Sequence, residues 1–475
     1  YCIGLGTTAL DAITTGDANT ALGYGALTAN TTASDNTAVG AYAVDAVTTV
    51  SFLTGIGSGA LSANTSGYHN TAVGYNTLNI ATEAYGNTFM GYLCGDAITT
   101  GSYSVGIGAY ALGAATTSYG NVVVGNNAMA ASTTGSDNVA VGHYAMGQNA
   151  SGSNNVSIGP HTMQYSTTSA MNVAIGRDTF RLNTTGSHNV AIGYLNAVKL
   201  TTGGGNCAIG YNCLAVTTTG GSNTVVGSNA LAAVVTTDNN TAFGAAAGVY
   251  VTGSRNTYIG SQSAGTATVN GNVTGDDNTA LGHFSAKVIS SGSDNTVVGK
   301  DAGSVLTSGD NNLFLGHDAG ISGSPGGAIT TGDNEVCIGD ENITEAHIQV
   351  DWTIASDARD KTDVEDLSVG LDFVKQLKPK TYRWDKRSQY SDDQSIEPDG
   401  SHKADQLDVG FLAQDVDALE KSLGFKDTDK KNLISSLSED GQMYGLKYSK
   451  FVPMLVNAIQ ELSAEVEELK SQLEE

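Results

Sequence analysis

Between residues 1 and 340 the apolar and polar positions recur with a fixed step. A short run of the form Asn-Thr/Val-Ala-Val/Ile/Leu-Gly appears as Asn36-Thr37-Ala38-Val39-Gly40 and again as Asn189-Val190-Ala191-Ile192-Gly193. Its closing glycine falls at Gly6, Gly23, Gly40, Gly57, Gly74, Gly91 and Gly108. The series continues through Gly125, Gly142, Gly159, Gly176, Gly193, Gly210, Gly227 and Gly244, a step of 17 residues each time. Beyond that the spacing loosens, with Gly260, Gly282, Gly299, Gly316 and Gly339. Alternation within the run places the first and third residues after the asparagine on one face and the alanine on the other. The first and third suit a packed strand. The small alanine is expected where another chain approaches. A second apolar position lies four residues after the glycine, as at Leu10, Leu27, Val44, Leu61, Leu112, Met129 and Phe180, with Gly95, Ala197 and Gly248 as exceptions. Thr-Thr-Gly, as at Thr14-Thr15-Gly16, marks the turn before the asparagine. One such unit is too short to bury a core. Stacking of neighbours does so, and the pattern predicts a solenoid over residues 1–340.

Past residue 340 the chain changes character. Up to there the basic residues are Arg177, Arg181, Lys199, Arg255, Lys287 and Lys300, and the rest of the 22 lie beyond. Both tryptophans, Trp352 and Trp384, lie there too, which places a boundary near 340–352. Leu367, Leu371, Val374 and Leu377 follow at helical spacing up to Pro379. Thr381 to Trp384 reads as a strand, and Asp385 to Gln406 as a polar loop or projecting arm. Val409 to Val416 and Tyr444 to Tyr448 are further short segments before a long terminal helix. In that helix Leu455, Ile459, Leu462, Val466, Leu469 and Leu473 alternate by four and three residues, the seam of a coiled coil over about 450–475.

The net charge of −25 and a pI near 4.4 repel nucleic acid and anionic membranes, so neither is an expected partner. No run of apolar residues is long enough for a membrane span. Glycine-rich runs such as Gly203-Gly204-Gly205 read as turns, without a phosphate-loop motif. Cys2, Cys207 and Cys337 fall in apolar runs and are expected as small buried thiols, with no disulfide framework or zinc site. His143, His283 and His317 each follow a repeat glycine and read as surface or stacking residues, and His69 and His188 as solvent-facing turn residues. No cofactor and no metal is expected. Because the sequence opens at Tyr1, an N-terminal attachment region is expected to be missing.

Two resemblances sharpen this reading. The Asn-Val-Ala-Ile-Gly core resembles the head repeats of trimeric autotransporter adhesins, which are parallel β-rolls packed as trimers; the 17-residue period here is longer than theirs. The second resemblance begins at Ser356-Asp357-Ala358-Arg359-Asp360-Lys361. It continues through Gly410-Phe411-Leu412-Ala413-Gln414, Tyr448 to Pro453 and Ala458-Ile459-Gln460-Glu461-Leu462. This order resembles the intramolecular chaperone of phage tail fibres and tailspikes, the peptidase S74 family. The resemblance implies an autoproteolytic dyad, with Ser356 as nucleophile and Lys361 as general base, and a homotrimer. Asp357 and Arg359 are supporting motif residues. A serine hydroxyl needs a neighbour to take its proton, and a lysine does so only when burial or nearby cations hold it neutral. Arg359 favours that, and Asp357 and Asp360 oppose it. Five residues separate the pair, so a folded turn or a neighbouring chain must join them. Attack by Ser356 on the Ala355 carbonyl passes through a five-membered ring, which favours the Ala355–Ser356 bond in cis.

The combined expectation has three parts. Residues 1–340 form a mainly β, trimeric solenoid shaft or receptor-binding region, and 341–355 a linker to the cleavage site. Residues 356–475 form an α+β chaperone ending in a coiled-coil helix. Such a protein is made in the host cytoplasm and works outside the cell as a virion tail fibre. Its expected partners are its own copies, a host glycan or outer-membrane protein, and other tail proteins through the missing N-terminus. The rivals are a cell-surface trimeric adhesin and a glycan-depolymerising tailspike. A depolymerase usually needs paired carboxylates, whereas acidic residues here, such as Asp35, Asp137 and Asp294, lie mostly in turns. The irregular stretches 260–282 and 316–339 are candidate receptor-contact loops.

Overall fold

The computed structural model describes residues 1–264, 272–350, 352–390, 396–424 and 433–474. Asp351, part of the 260–282 stretch and part of the polar arm after Asp385 lie outside these. The chain divides into two compact units, Tyr1–Asp294 and Asn295–Glu475. It contains a mainly β parallel solenoid of about 18 turns, followed by a small β/α region and a terminal helix.

In the first unit each repeat contributes one short strand, from Ile3–Leu5 to Thr279–Leu281. Each strand pairs in parallel with the equivalent residues of the next coil, as in Thr37↔Thr54, Ala38↔Gly55 and Val39↔Ile56. The closing glycine sits at a φ that L side chains avoid. At Gly40 φ is +135°, and a Cβ there would meet the carbonyl carbon of Gly57 at 2.5 Å. Any other residue would force the coils apart at this corner.

The strand faces the opposite way from the sequence expectation. The middle residue, Ala38, Ala72 or Ala140, points into the coil and is fully buried. The first and third face outward, and Leu22, Ile56, Met90, Ile107, Phe243 and Leu281 are exposed as a stripe. The physical reason is volume. The coil interior is narrow, and the apolar residue four after the glycine already fills it: Leu27, Leu61, Leu112 and Met129 are completely buried. That residue is not in a strand. It sits in a turn with left-handed backbone, φ 54° at Leu27 and 48° at Met129. The exceptions Gly95 and Gly248 share this conformation, and their missing side chains leave room for Phe89 and Tyr258, which replace the usual inward alanine.

The repeat asparagine forms a buried ladder. The Asn138 backbone N–H donates to the Asn121 Oδ1 at 3.0 Å, and the Asn138 Nδ2 donates to the Gly152 carbonyl of the next coil at 3.0 Å. The same pattern runs through Asn155, Asn172, Asn189 and Asn206. Each amide thereby satisfies backbone groups that would otherwise be buried without partners.

In the second unit the solenoid strands are Thr296–Val298, Leu313–Leu315 and Val336–Ile338. After an extended segment come α1 (Leu371–Gln376), a strand pair Lys380–Tyr382 with Asp408–Gly410, α2 (Ala413–Ser422), the hairpin Ser435–Leu437 with Tyr444–Leu446, and α3 (Phe451–Glu474). Leu367 lies outside α1, and Arg383 and Trp384 lie outside the strand, so both elements are shorter than their apolar patterns. A small core joins Val369, Phe373, Val416, Ile434, Phe451 and Met454. Gly370 offers no side chain to cap α1. The carboxylate of Glu461 on α3 does so instead, accepting the Leu371 N–H at 2.6 Å. The hairpin base is held by the buried Glu420, which accepts the backbone N–H groups of Ile434 at 2.7 Å and Ser435 at 3.0 Å.

The cysteines are free thiols. Cys94, Cys213 and Cys337 are buried, whereas Cys2 is exposed and Cys207 half-buried, against the expectation for those two. Cys2 belongs to the first coil, and Cys207 occupies an outward strand position.

Candidate functional site

Ser356 and Lys361 are brought together by a single tight turn. Asp357 stands at the N-cap of a 3-10 turn over Ala358–Asp360, and its side chain accepts the Arg359 N–H at 2.9 Å. The turn closes when the Asp360 N–H donates to the Asp357 carbonyl and the Lys361 N–H to the Ala358 carbonyl. The chain then leaves in extended conformation, and the Lys361 side chain folds back over the turn. Its Nζ donates to the Ser356 Oγ at 2.6 Å and to the Ser356 carbonyl at 3.3 Å.

The two supporting residues pair with each other. The Arg359 guanidinium holds both oxygens of Asp357, with Nη2 to Oδ2 at 2.6 Å and Nε to Oδ1 at 3.1 Å. The guanidinium holds the Asp357 carboxyl below its usual range, and the carboxylate pushes the arginine up. Arg359 thus spends its charge on Asp357 and braces the turn.

The whole segment is exposed in the single chain. Trp352 and Ile354, just before Ser356, are also exposed, at 73% and 71%. A lysine amine works as a general base at neutral pH where burial or a neighbouring cation holds it neutral, and Arg359 here is paired with Asp357. The geometry therefore supplies the Ser356–Lys361 contact but not the dry surroundings that favour a neutral amine.

The exposed apolar surface of this unit is extensive. Along α3, Leu455, Ile459, Leu462, Val466, Leu469 and Leu473 are all open to solvent, and only the first turns are anchored, by Phe451, Met454 and Ala458. Val374, Leu377, Pro379, Phe411, Tyr448 and Leu455 line an open apolar hollow of about 420 Å³ where this seam begins.

The histidines fall into two groups. His143 lies edge-on to Tyr144 and His161, and His283 lies against Phe284, as stacking residues. His69 and His188 are exposed. His317 differs: with Asp301 and Asp318 it brings three potential metal-donor atoms within 4.8 Å of one another. Lys300 sits in the same group, 2.7 Å from Asp301 and 3.4 Å from the His317 Nε2. Its ammonium already neutralises the carboxylate a cation would need. Of its members the sequence singled out only His317, because the others come from neighbouring positions of successive coils.

Residues 356–425 match the family model described as the chaperone of endosialidase, peptidase S74. No curated protein and no solved structure matches the chain. A long parallel solenoid followed by this domain fits a tail-fibre- or tailspike-like protein.

Proposed function

We propose that this chain is a bacteriophage tail-fibre protein that assembles as a homotrimer, binds a host surface receptor through its solenoid, and releases its C-terminal domain by Ser356–Lys361 self-cleavage. The observation that carries the reading is the Lys361 Nζ–Ser356 Oγ contact at the first residue of the matched domain.

Lys361, as free amine, takes the Ser356 Oγ proton. The oxygen attacks the Ala355 carbonyl carbon, and the Ala355–Ser356 C–N bond breaks. The proton passes to the departing Ser356 nitrogen, leaving an ester between Ala355 and the Ser356 Oγ. Water then hydrolyses the ester, giving a carboxylate at Ala355 and a free amine at Ser356. One turnover suffices.

Exposure explains the link to assembly. Packing of three α3 seams would cover the apolar positions now in water. The outward strand stripe of the first unit supports the same reading, since Leu22, Ile56, Met90 and their equivalents form a continuous apolar face suited to a second copy. Other tail proteins and a host glycan or outer-membrane protein are the further partners of such a fibre.

A denaturing gel of the wild type beside Ser356→Ala tests the cleavage. The wild type should give two bands divided near residue 355, and the variant one. A single full-length band for both, from trimeric material, would remove the protease claim. Light scattering of the Ser356→Ala chain tests the trimer directly.

A further inference from the structure

The turns of the solenoid share one hydrogen-bond device. In these turns two or three successive backbone N–H groups often converge on one carbonyl oxygen of the following coil. The N–H groups of Thr14, Thr15 and Gly16 point at the Thr31 carbonyl, at 2.9, 3.2 and 3.4 Å, and the Thr14 hydroxyl joins them at 2.8 Å. Thr184, Thr185 and Gly186 treat the Thr201 carbonyl in the same way, at 3.0, 3.1 and 3.3 Å. In the second unit Thr307 and Ser308 converge on the Thr330 carbonyl.

The last such turn, Thr330-Thr331-Gly332, has no following coil. Its three N–H groups converge instead on one carboxylate oxygen, Glu439 Oε2, at 3.2, 3.3 and 3.2 Å. The Thr331 hydroxyl donates to the other oxygen, Oε1. Next to it the Asp440 carboxylate accepts the Ala328 N–H at 3.3 Å. Glu439 and Asp440 form the tip of the hairpin Ser435–Leu437/Tyr444–Leu446. The tip is held by its own bonds: the Ser438 N–H donates to the Met443 carbonyl at 2.8 Å and the Met443 N–H to the Ser438 Oγ at 2.8 Å. Its approach is close. A Cβ at Gly327 would lie 2.8 Å from the Ser438 Cβ.

We propose that Glu439 stands in for the missing next coil: its carboxylate replaces the carbonyl that closes the equivalent turns at Thr14, Thr184 and Thr307, so the hairpin tip is the end-stop against which the last coil of the solenoid is set. Three convergent amide donors at the end of the solenoid would otherwise have only water. The hairpin carrying Glu439 is rooted in the domain core through Ile434 and Leu446. The C-terminal domain therefore presents a preformed acceptor at the coil's own hydrogen-bonding geometry, and fixes the register of the coil that follows from it. This role does not require cleavage.

The test uses the full chain carrying Ser356→Ala, so that the fate of the Ala355–Ser356 bond does not enter. Hydrogen exchange is read at the amides of Thr330, Thr331 and Gly332, together with the rate of recovery from denaturant. Glu439→Ala should raise exchange at these amides about tenfold or more and slow recovery. Glu439→Gln should keep most of the protection, because its side-chain carbonyl oxygen is the closer mimic of a backbone carbonyl. Unchanged protection in Glu439→Ala would overturn the proposal. So would a Glu439→Gln chain as unprotected as Glu439→Ala, since the contact would then be one of charge alone. If Glu439→Ala does not fold, the glutamine variant decides: folded and protected supports the end-stop, and failure to fold overturns it.

Discussion

The Phe89 ring occupies the space that a side chain at Gly95 would need, since a Cβ added at Gly95 would come within 2.7 Å of the ring. The same exchange of volume recurs at Phe314, whose ring lies 2.7 Å from a Cβ placed on Gly303. At these places the interior is filled by a large ring at the strand position, beside a glycine at the turn position of the same or the preceding coil. Phe89→Ala should cost about 3–5 kcal/mol of local stability. Gly95→Leu alone should also destabilise, by overpacking. Together they should be less harmful than the sum of the two, because leucine is the usual filler at Gly95's position. Hydrogen exchange over residues 88–107 measures each opening free energy. Strict additivity would show that the two sites do not share a cavity.

Much of this architecture was legible because it repeats. The glycine step marks the coil, and the second apolar position four residues on, visible as a recurring position, proves to be its core. The strand's orientation was not legible. Alternation separates two faces, but Ala38 and Val39 are both apolar, and only the left-handed turn at Val44 decides which face has room inside. Leucine and valine seldom take that conformation, so nothing in the pattern announced it. At the candidate site, the motif brought Ser356 and Lys361 to attention, and the Asp357–Arg359 brace follows from the same six residues. Glu439 could not be found this way. Its partners lie more than 100 residues earlier, and a glutamate on a polar hairpin tip looks like any solvated charge.

Burial pushes the Cys94 thiol up to about 12 and Cys213 up to about 11. A folded thiol with a raised value stays protonated while the unfolded thiol ionises from about pH 8.5. The unfolded state then binds fewer protons, so stability falls as pH rises from there towards the folded values. Two outcomes are expected. An alkylating agent at pH 8 should label Cys2 first and leave Cys94 until the chain is denatured. Replacing Cys94 by alanine should flatten the alkaline decline in stability. Rapid native labelling of Cys94 would contradict its place in the coil interior.

Ile459 is 66% exposed on the α3 seam. Ile459→Asp should abolish the proposed trimer by placing a charge where three helices would meet, while leaving the single domain folded, since the core around Phe373 and Met454 does not include it. Light scattering and circular dichroism read the two properties separately. If the seam instead served only its own chain, mass in solution would stay the same.

Arg359 braces the Ser356–Lys361 turn through Asp357. Arg359→Ala should slow the proposed self-cleavage at least about tenfold by loosening the turn, and Arg359→Lys should restore only part of it, because lysine cannot grip both carboxylate oxygens. The pH response separates this from a general loss of fold. The guanidinium lowers the Asp357 carboxyl, so the brace is complete above the ordinary aspartate range and is lost as pH falls through the depressed value. A wild-type cleavage rate in Arg359→Ala would leave the brace without a part in the reaction.

The left-handed residues of each coil have a mechanical consequence. Tyr42, Val44 and Phe52 all hold positive φ within one coil, at roughly 1–2 kcal/mol each for an L side chain. A lone coil would spring open, and only a seated neighbour keeps it wound. Such a filament is brittle to unravelling at a bare tip and stubborn along its length. Under tension it should yield stepwise, in equal increments of contour, and rewind only from whichever stump stayed intact.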